Sequence, residues 1–99
     1  MNDETTKYKI ALLEEYKGTF RILIKIRELG GETYASELDE LLPINEKTIR
    51  NVRGKLLTAK LIILDERLDP KDKKYRTYLI LTEKGKRIAE LAEKIENEL

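Results

Sequence analysis

Apolar residues recur at helical spacing through the first half of this chain. They give way to two short strand-like runs at Leu61–Arg67 and Tyr75–Thr82, then return to helical spacing from Glu83. Such an order admits few folds, because several helices, one hairpin and a closing helix must bury their apolar stripes against one another. The fold class it implies is α+β, mostly helical. A chain of 99 residues is the size of one domain, so a single unit spanning 1–99 with one core is expected.

Tyr8, Leu12, Leu13 and Tyr16 share one face of a first amphipathic helix over Thr5–Lys17, within an N-terminal segment 1–17. After Gly18 and Thr19, residues Phe20–Leu29 read as a second helix stopped by Gly30 and Gly31. At about 100° per residue, Phe20, Leu23 and Ile24 fall opposite Ile22, Ile26 and Leu29. A helix apolar on both sides is expected between two layers. Thr33–Leu42 forms a short helix ended by Pro43, and Asn45 caps the next one, whose buried stripe is Ile49, Val52, Leu56 and Leu57. A last helix, Glu83–Leu99, starts from Thr82 as N-cap and carries Ile88, Leu91, Ala92, Ile95 and Leu99 on one stripe.

Composition removes whole classes of chemistry. The chain has no Cys and no His, so thiolate nucleophiles, imidazole bases and the usual zinc ligands are missing. Ser36 is the single serine and is expected to cap or meet solvent. Gly30 and Gly31 lack the spacing of a phosphate-cradling loop. Asp65 and Glu66 could be thought a metal pair, yet neighbours on a strand point to opposite faces. No enzyme activity, catalytic residue, metal or cofactor is expected. The longest apolar runs, Ile22–Ile24 and Leu61–Leu64, fall far short of the roughly 20 residues that span a bilayer, and no signal peptide is read at the N-terminus. The expectation is a cytoplasmic protein with no membrane partner. The absence of Gln and Cys, the single Met and the 39% charged residues also match thermophile usage.

A formal net charge of +1 conceals an asymmetry. Residues 1–46 carry a net charge of −4, residues 47–87 of +8 and residues 88–99 of −3. A basic middle between acidic ends suits a phosphate-binding surface. Lys47, Arg50, Asn51 and Gly54 share the face opposite the Ile49–Val52–Leu56 stripe, with Thr48 and Lys55 at its margins, and no acidic residue occurs from Lys47 to Leu64. Arg and Lys suit guanine edges or phosphate, Asn suits adenine, and Gly54 lets a backbone approach closely. Between the strands lies a basic tip. Arg67, Lys71, Lys73, Lys74 and Arg76 could follow a phosphate backbone or enter a minor groove, with Asp69 and Asp72 tempering the charge.

Three stretches carry a family resemblance. Thr33–Leu42 resembles the positioning helix of a winged helix-turn-helix protein, Asn45–Leu56 its recognition helix, and Leu79-Ile-Leu-Thr-Glu-Lys-Gly85 the exit of its wing. A strand ending in Leu-Thr-x-Lys-Gly before a C-terminal helix is similar to the MarR and PadR types of regulator, and the resemblance covers residues 18–99. It implies a winged-helix core over 18–82 with a two-stranded wing, and N- and C-terminal helices, the latter 83–99, for dimerisation. In scale the chain resembles small winged-helix proteins of archaea and their viruses. It departs at Lys60, where such proteins often place Gly in a left-handed conformation. It is also shorter than most members, so an effector pocket is not implied and any small-molecule effector is unknown.

The resemblance further implies a sequence-specific, double-stranded DNA-binding transcriptional regulator. It would act as a homodimer through Tyr8, Leu12, Tyr16, Ile88, Leu91, Ala92, Ile95 and Leu99. Recognition helices about 34 Å apart would then read a palindromic site. Arg50 and Asn51 would read bases, Lys47, Thr48 and Lys55 would set the helix on phosphates, and the wing lysines would add salt-dependent affinity. The rival reading is a winged-helix adaptor that binds protein and no DNA.

Overall fold

The computed structural model describes residues 8–99. Its elements in chain order are α1 (Ala11–Glu14), α2 (Thr19–Glu28), β1 (Glu32–Tyr34), α3 (Ala35–Leu41), α4 (Glu46–Thr58), β2 (Ile62–Leu68), β3 (Tyr75–Leu81) and α5 (Glu83–Glu98). This is the expected α+β class. The three strands form one antiparallel sheet with β3 in the centre, β1 on one side and β2 on the other.

Side chains from every layer meet in one core. Ile22, Leu23 and Ile26 of α2, Leu38 of α3, and Ile49, Val52 and Leu56 of α4 are fully buried, and Ile62, Leu79 and Leu81 close the core from the sheet. Each such side chain contributes about 1.5–3 kcal/mol. An exposed ion pair contributes about 0–1 kcal/mol, so the many surface pairs are secondary to the core. Both predicted caps form. Helix α4 follows Asn45, whose Oδ1 accepts the Thr48 N–H at 2.8 Å, and α5 follows Thr82, whose Oγ1 accepts the Gly85 N–H at 2.9 Å.

Two expectations need correction. The helix expected over Thr5–Lys17 is helical only at Ala11–Glu14, and the part before Tyr8 lies outside the described residues. Ile10, at its N-cap position, offers no side-chain hydrogen bond, so the orphan N–H groups of its first turn gain nothing from a cap. Gly18 then takes φ 93° and packs so closely that a Cβ there would stand 2.8 Å from Ile44 Cδ1. The chain therefore turns at Gly18 before α2 begins. The helix expected from Thr33 starts instead at Ala35, because Glu32–Tyr34 pair with Ile80, Leu79 and Tyr78 as a third strand. The hairpin is thus part of a three-stranded sheet. Thr33 is buried, and its Oγ1 donates to Glu37 Oε1 at 2.5 Å, which ties the strand to the first turn of α3.

The end of α4 and the start of α5 are clamped together. Lys60 takes the left-handed conformation the fold asks for, at φ 61°. Its carbonyl accepts Thr82 Oγ1–H at 2.8 Å, the Leu61 carbonyl accepts the Thr82 N–H at 3.0 Å, and Lys84 Nζ donates to the Ala59 carbonyl at 3.1 Å. Gly85 permits this approach, since a Cβ there would sit 1.9 Å from the Leu61 carbonyl oxygen. Farther along, Arg27 of α2 holds Glu93 of α5 at 2.5 Å.

Candidate nucleic-acid interface

Helix α4 buries Ile49, Val52 and Leu56 and turns Lys47, Arg50, Asn51 and Gly54 outward, all four exposed. This is the face the periodicity predicts. Among the described residues Lys47 has no ion-pair partner, and Arg50 has only Glu46 at 3.8 Å, one turn earlier, both side chains more than half exposed. Such a pair is too weak to hold a guanidinium from a phosphate or a base. Apart from its chain neighbours and the backbone of its own helix, no atom of the described residues lies within 4 Å of where a Gly54 Cβ would stand, so that side of the helix is open. Thr48 is half-buried and spends its N–H on the Asn45 cap.

Lys55 is placed elsewhere. It forms an ion pair with Glu15, stands 5.9 Å from the centre of the Tyr16 ring, and its side chain is only 28% exposed. The hydrogen bond it donates to Glu15 holds its ammonium above the usual lysine value. An attraction to α1's end therefore takes Lys55 away from the Arg50 face. Arg53, which the sequence reading passed over, is half-buried with no ion-pair partner among the described residues, at the other margin of that face. Its three-residue spacing from Arg50 was the available signal.

The wing's cations divide in two. Lys71, Lys73 and Lys74 are exposed on the tip with no ion-pair partner among the described residues, Lys73 at φ 59°. Arg67 and Arg76 are turned inward along the sheet instead. Arg67 bonds Glu32 at 3.0 Å and Asp65 at 2.9 Å and stacks 4.3 Å over Tyr78. Arg76 pairs with Asp69 at 3.2 Å and with Asp72, and stacks 4.4 Å over Tyr34, its Nη1 reaching Ser36 Oγ at 3.4 Å. The two rings meet edge to face at 5.4 Å. These arginines are paired with carboxylates where they stand and brace the wing against β1 and α3, Arg67 keeping 39% of its side chain exposed. Asp69 and Asp72 do more than temper charge. Asp69 is buried, and its Oδ1 accepts the Lys71 N–H at 2.9 Å, while Asp72 Oδ1 accepts the Lys74 N–H at 3.1 Å, which shapes the tip. Partial desolvation pushes the Asp72 carboxyl up, but the Lys74 N–H and the Arg76 guanidinium outweigh it and leave it below its ordinary value.

A second feature lies between the N-terminal segment and α5. An open apolar groove of about 1050 Å³ runs there, walled by Tyr8, Leu12, Ile88, Leu91, Ala92 and Ile95 among others. Six of the eight residues expected at a dimer interface thus come together. Tyr16 does not join them; it packs half-buried against the core beneath Lys55. Leu99 is almost fully exposed beyond the groove, whereas Ala92 is buried at its floor. Asp65 and Glu66 face opposite sides of the sheet, across from Tyr78 and Thr77. Among the described residues no group of three or more potential ligands could hold a metal, and no helix is long and apolar enough to cross a membrane.

No protein-family model and no curated protein matches the chain. Solved structures do. A MarR protein from Peptoclostridium difficile matches over 97% of this chain with a TM-score of 0.67 and 28% sequence identity, the match covering 60% of that protein. An organohalide-sensing transcriptional regulator in its 2,4-dichlorophenol-bound form matches over 96% of this chain with a TM-score of 0.66 and 25% identity, covering 59% of that protein. The chain therefore spans about 60% of the length of the structures it matches. Its fold is a MarR-like winged helix, and its neighbours are regulators rather than enzymes.

Proposed function

We propose that this chain is a transcriptional regulator that binds double-stranded DNA as a homodimer on a palindromic site, laying α4 in the major groove and the wing tip along the backbone. The observation that carries this reading is the exposed face of α4, where Lys47, Arg50, Asn51 and Gly54 stand together with no buried acidic partner. Arg50 and Asn51 have the donor geometry to read base edges, and Lys47 is placed to meet phosphate. Lys71, Lys73 and Lys74 supply sequence-independent attraction. Arg67 and Arg76 are positioning residues that hold the wing in place, and Lys55 joins α4 to the N-terminal segment. The groove between that segment and α5 is the dimer face.

Selection from randomised duplexes tests the proposal. It should enrich two inverted half-sites with centres about 10 base pairs apart, one turn of DNA. In Arg50→Ala, discrimination should relax at one base pair per half-site, with a loss of about 1–3 kcal/mol. No enrichment by the parent, or the same preference in the variant, would remove Arg50 as a base reader. A parent that shows no affinity for any duplex would favour the adaptor reading.

A further inference from the structure

The outward line of α5 is Lys84, Ile88, Leu91, Ile95 and Glu98, at intervals of four, three, four and three residues. Those intervals keep five side chains in a row along one side of a helix. Leu91 and Ile95 are 54% and 60% exposed, and with Lys84 and Ile88 they wall the groove beside α1. The row is apolar in its middle and oppositely charged at its ends. The rest of the helix repeats the contrast more weakly: Lys86 and Arg87 lie near its start with Glu83, and Glu90, Glu93 and Glu96 toward its end with Lys94, while Lys86 is paired with Glu83, Glu93 with Arg27 and Lys94 with Glu90. Among the described residues the end charges are unspent: Glu98 has no ion-pair partner there, and Lys84 reaches only the neutral Ala59 carbonyl.

We infer that α5 of a second copy covers this row and runs antiparallel to the first, with the two-fold axis near Leu91. The inference rests on the dimer part of the proposed function and adds its orientation. In a parallel pair, Lys84 would meet its own counterpart and Glu98 its own, two like-charge contacts at the ends of an apolar seam. In an antiparallel pair, Lys84 of each copy meets Glu98 of the other. The apolar middle is then covered and both ends carry opposite charges. Antiparallel helices also align their dipoles favourably. Because Lys84 is anchored on the residue that follows α4, the seam lies directly against the C-terminal end of the recognition helix.

The chain has no cysteine, so introduced thiols report the arrangement without background. Differently tagged Lys84→Cys and Glu98→Cys chains are mixed and oxidised while sedimentation records the oligomer. The antiparallel seam predicts a disulfide joining the two different chains. Disulfides joining identical chains, or a dimer that forms neither, overturn the inference and leave the dimer reading standing; a monomer overturns the dimer reading itself. Charge exchange gives an independent readout. Glu98→Lys should weaken the dimer about tenfold, and adding Lys84→Glu should restore it. In a parallel pair Glu98→Lys only exchanges one like-charge contact for another, so unchanged dimerisation also counts against the antiparallel seam. Thermal unfolding of each variant confirms that the fold is retained.

Discussion

Arg50 and Arg76 both belong to the basic middle of the chain, and their surroundings give them opposite uses. Arg50 is exposed and held only by a solvent-screened pair with Glu46, so its charge is available to a ligand. Arg76 is spent on Asp69, Asp72 and the Tyr34 ring. Arg50→Ala should therefore leave stability within about 0.5 kcal/mol of the parent in urea unfolding while reducing duplex affinity. Arg76→Ala leaves the buried Asp69 carboxylate without its guanidinium, and should cost about 1–3 kcal/mol in the same measurement. The caps at Asn45 and Thr82 were legible in the sequence because a cap and its N–H lie three residues apart. The fates of Lys55, Arg67 and Arg76 were not. Lys55 and Arg67 meet Glu15 and Glu32, 40 and 35 residues away in the chain; Arg76 has its carboxylates close by in sequence, at Asp69 and Asp72, but the Tyr34 ring it stacks on is brought to it only by the fold.

At the scale of elements, the junction of α4, β2 and α5 and the tip of the wing are the two places where small changes should be felt. Gly85 is the only residue small enough for the approach to the Leu61 carbonyl. Gly85→Ala should cost at least about 1–3 kcal/mol in thermal or urea unfolding, because backbone must move to admit the methyl group. The wing responds to acid. The Asp72 carboxyl lies below its ordinary value in the fold, so it binds protons less readily there than in the unfolded chain. Its contribution is complete above about pH 4 and is lost as the pH falls through its lowered value. Amide exchange at Lys74 should be constant from pH 7 to about pH 4, after allowance for intrinsic rates, and should lose protection as the pH falls through the lowered Asp72 value; the same acid dependence in Asp72→Asn would contradict it. Helices α2, α4 and α5 were legible because each has a long apolar period. β1 was hidden by its three-residue length beside a short helix, and α1 was overestimated because apolar spacing does not reveal a turn imposed by Gly18 and Ile44.

For the whole molecule, the sequence's charge asymmetry describes the surface only after internal pairing is removed. Arg67, Arg76 and Lys55 belong to the structure, which leaves Lys47, Arg50 and the three lysines of the wing tip as the accessible cations of the predicted set. The order of elements and the apolar stripe of α5 were legible as patterns, and the structure assembles that stripe with Tyr8 and Leu12 into one groove. The central claim is that this accessible set binds DNA. Fluorescence anisotropy with a mixed-sequence duplex across a salt series tests it most directly, comparing the parent with the double variant Arg50→Ala/Lys73→Ala. The account predicts affinity that falls steeply with salt in the parent and, in the variant, weaker binding with a slope shallower by about one unit, for the phosphate contact of Lys73. Absent or salt-insensitive binding, or identical slopes for the two proteins, would contradict it.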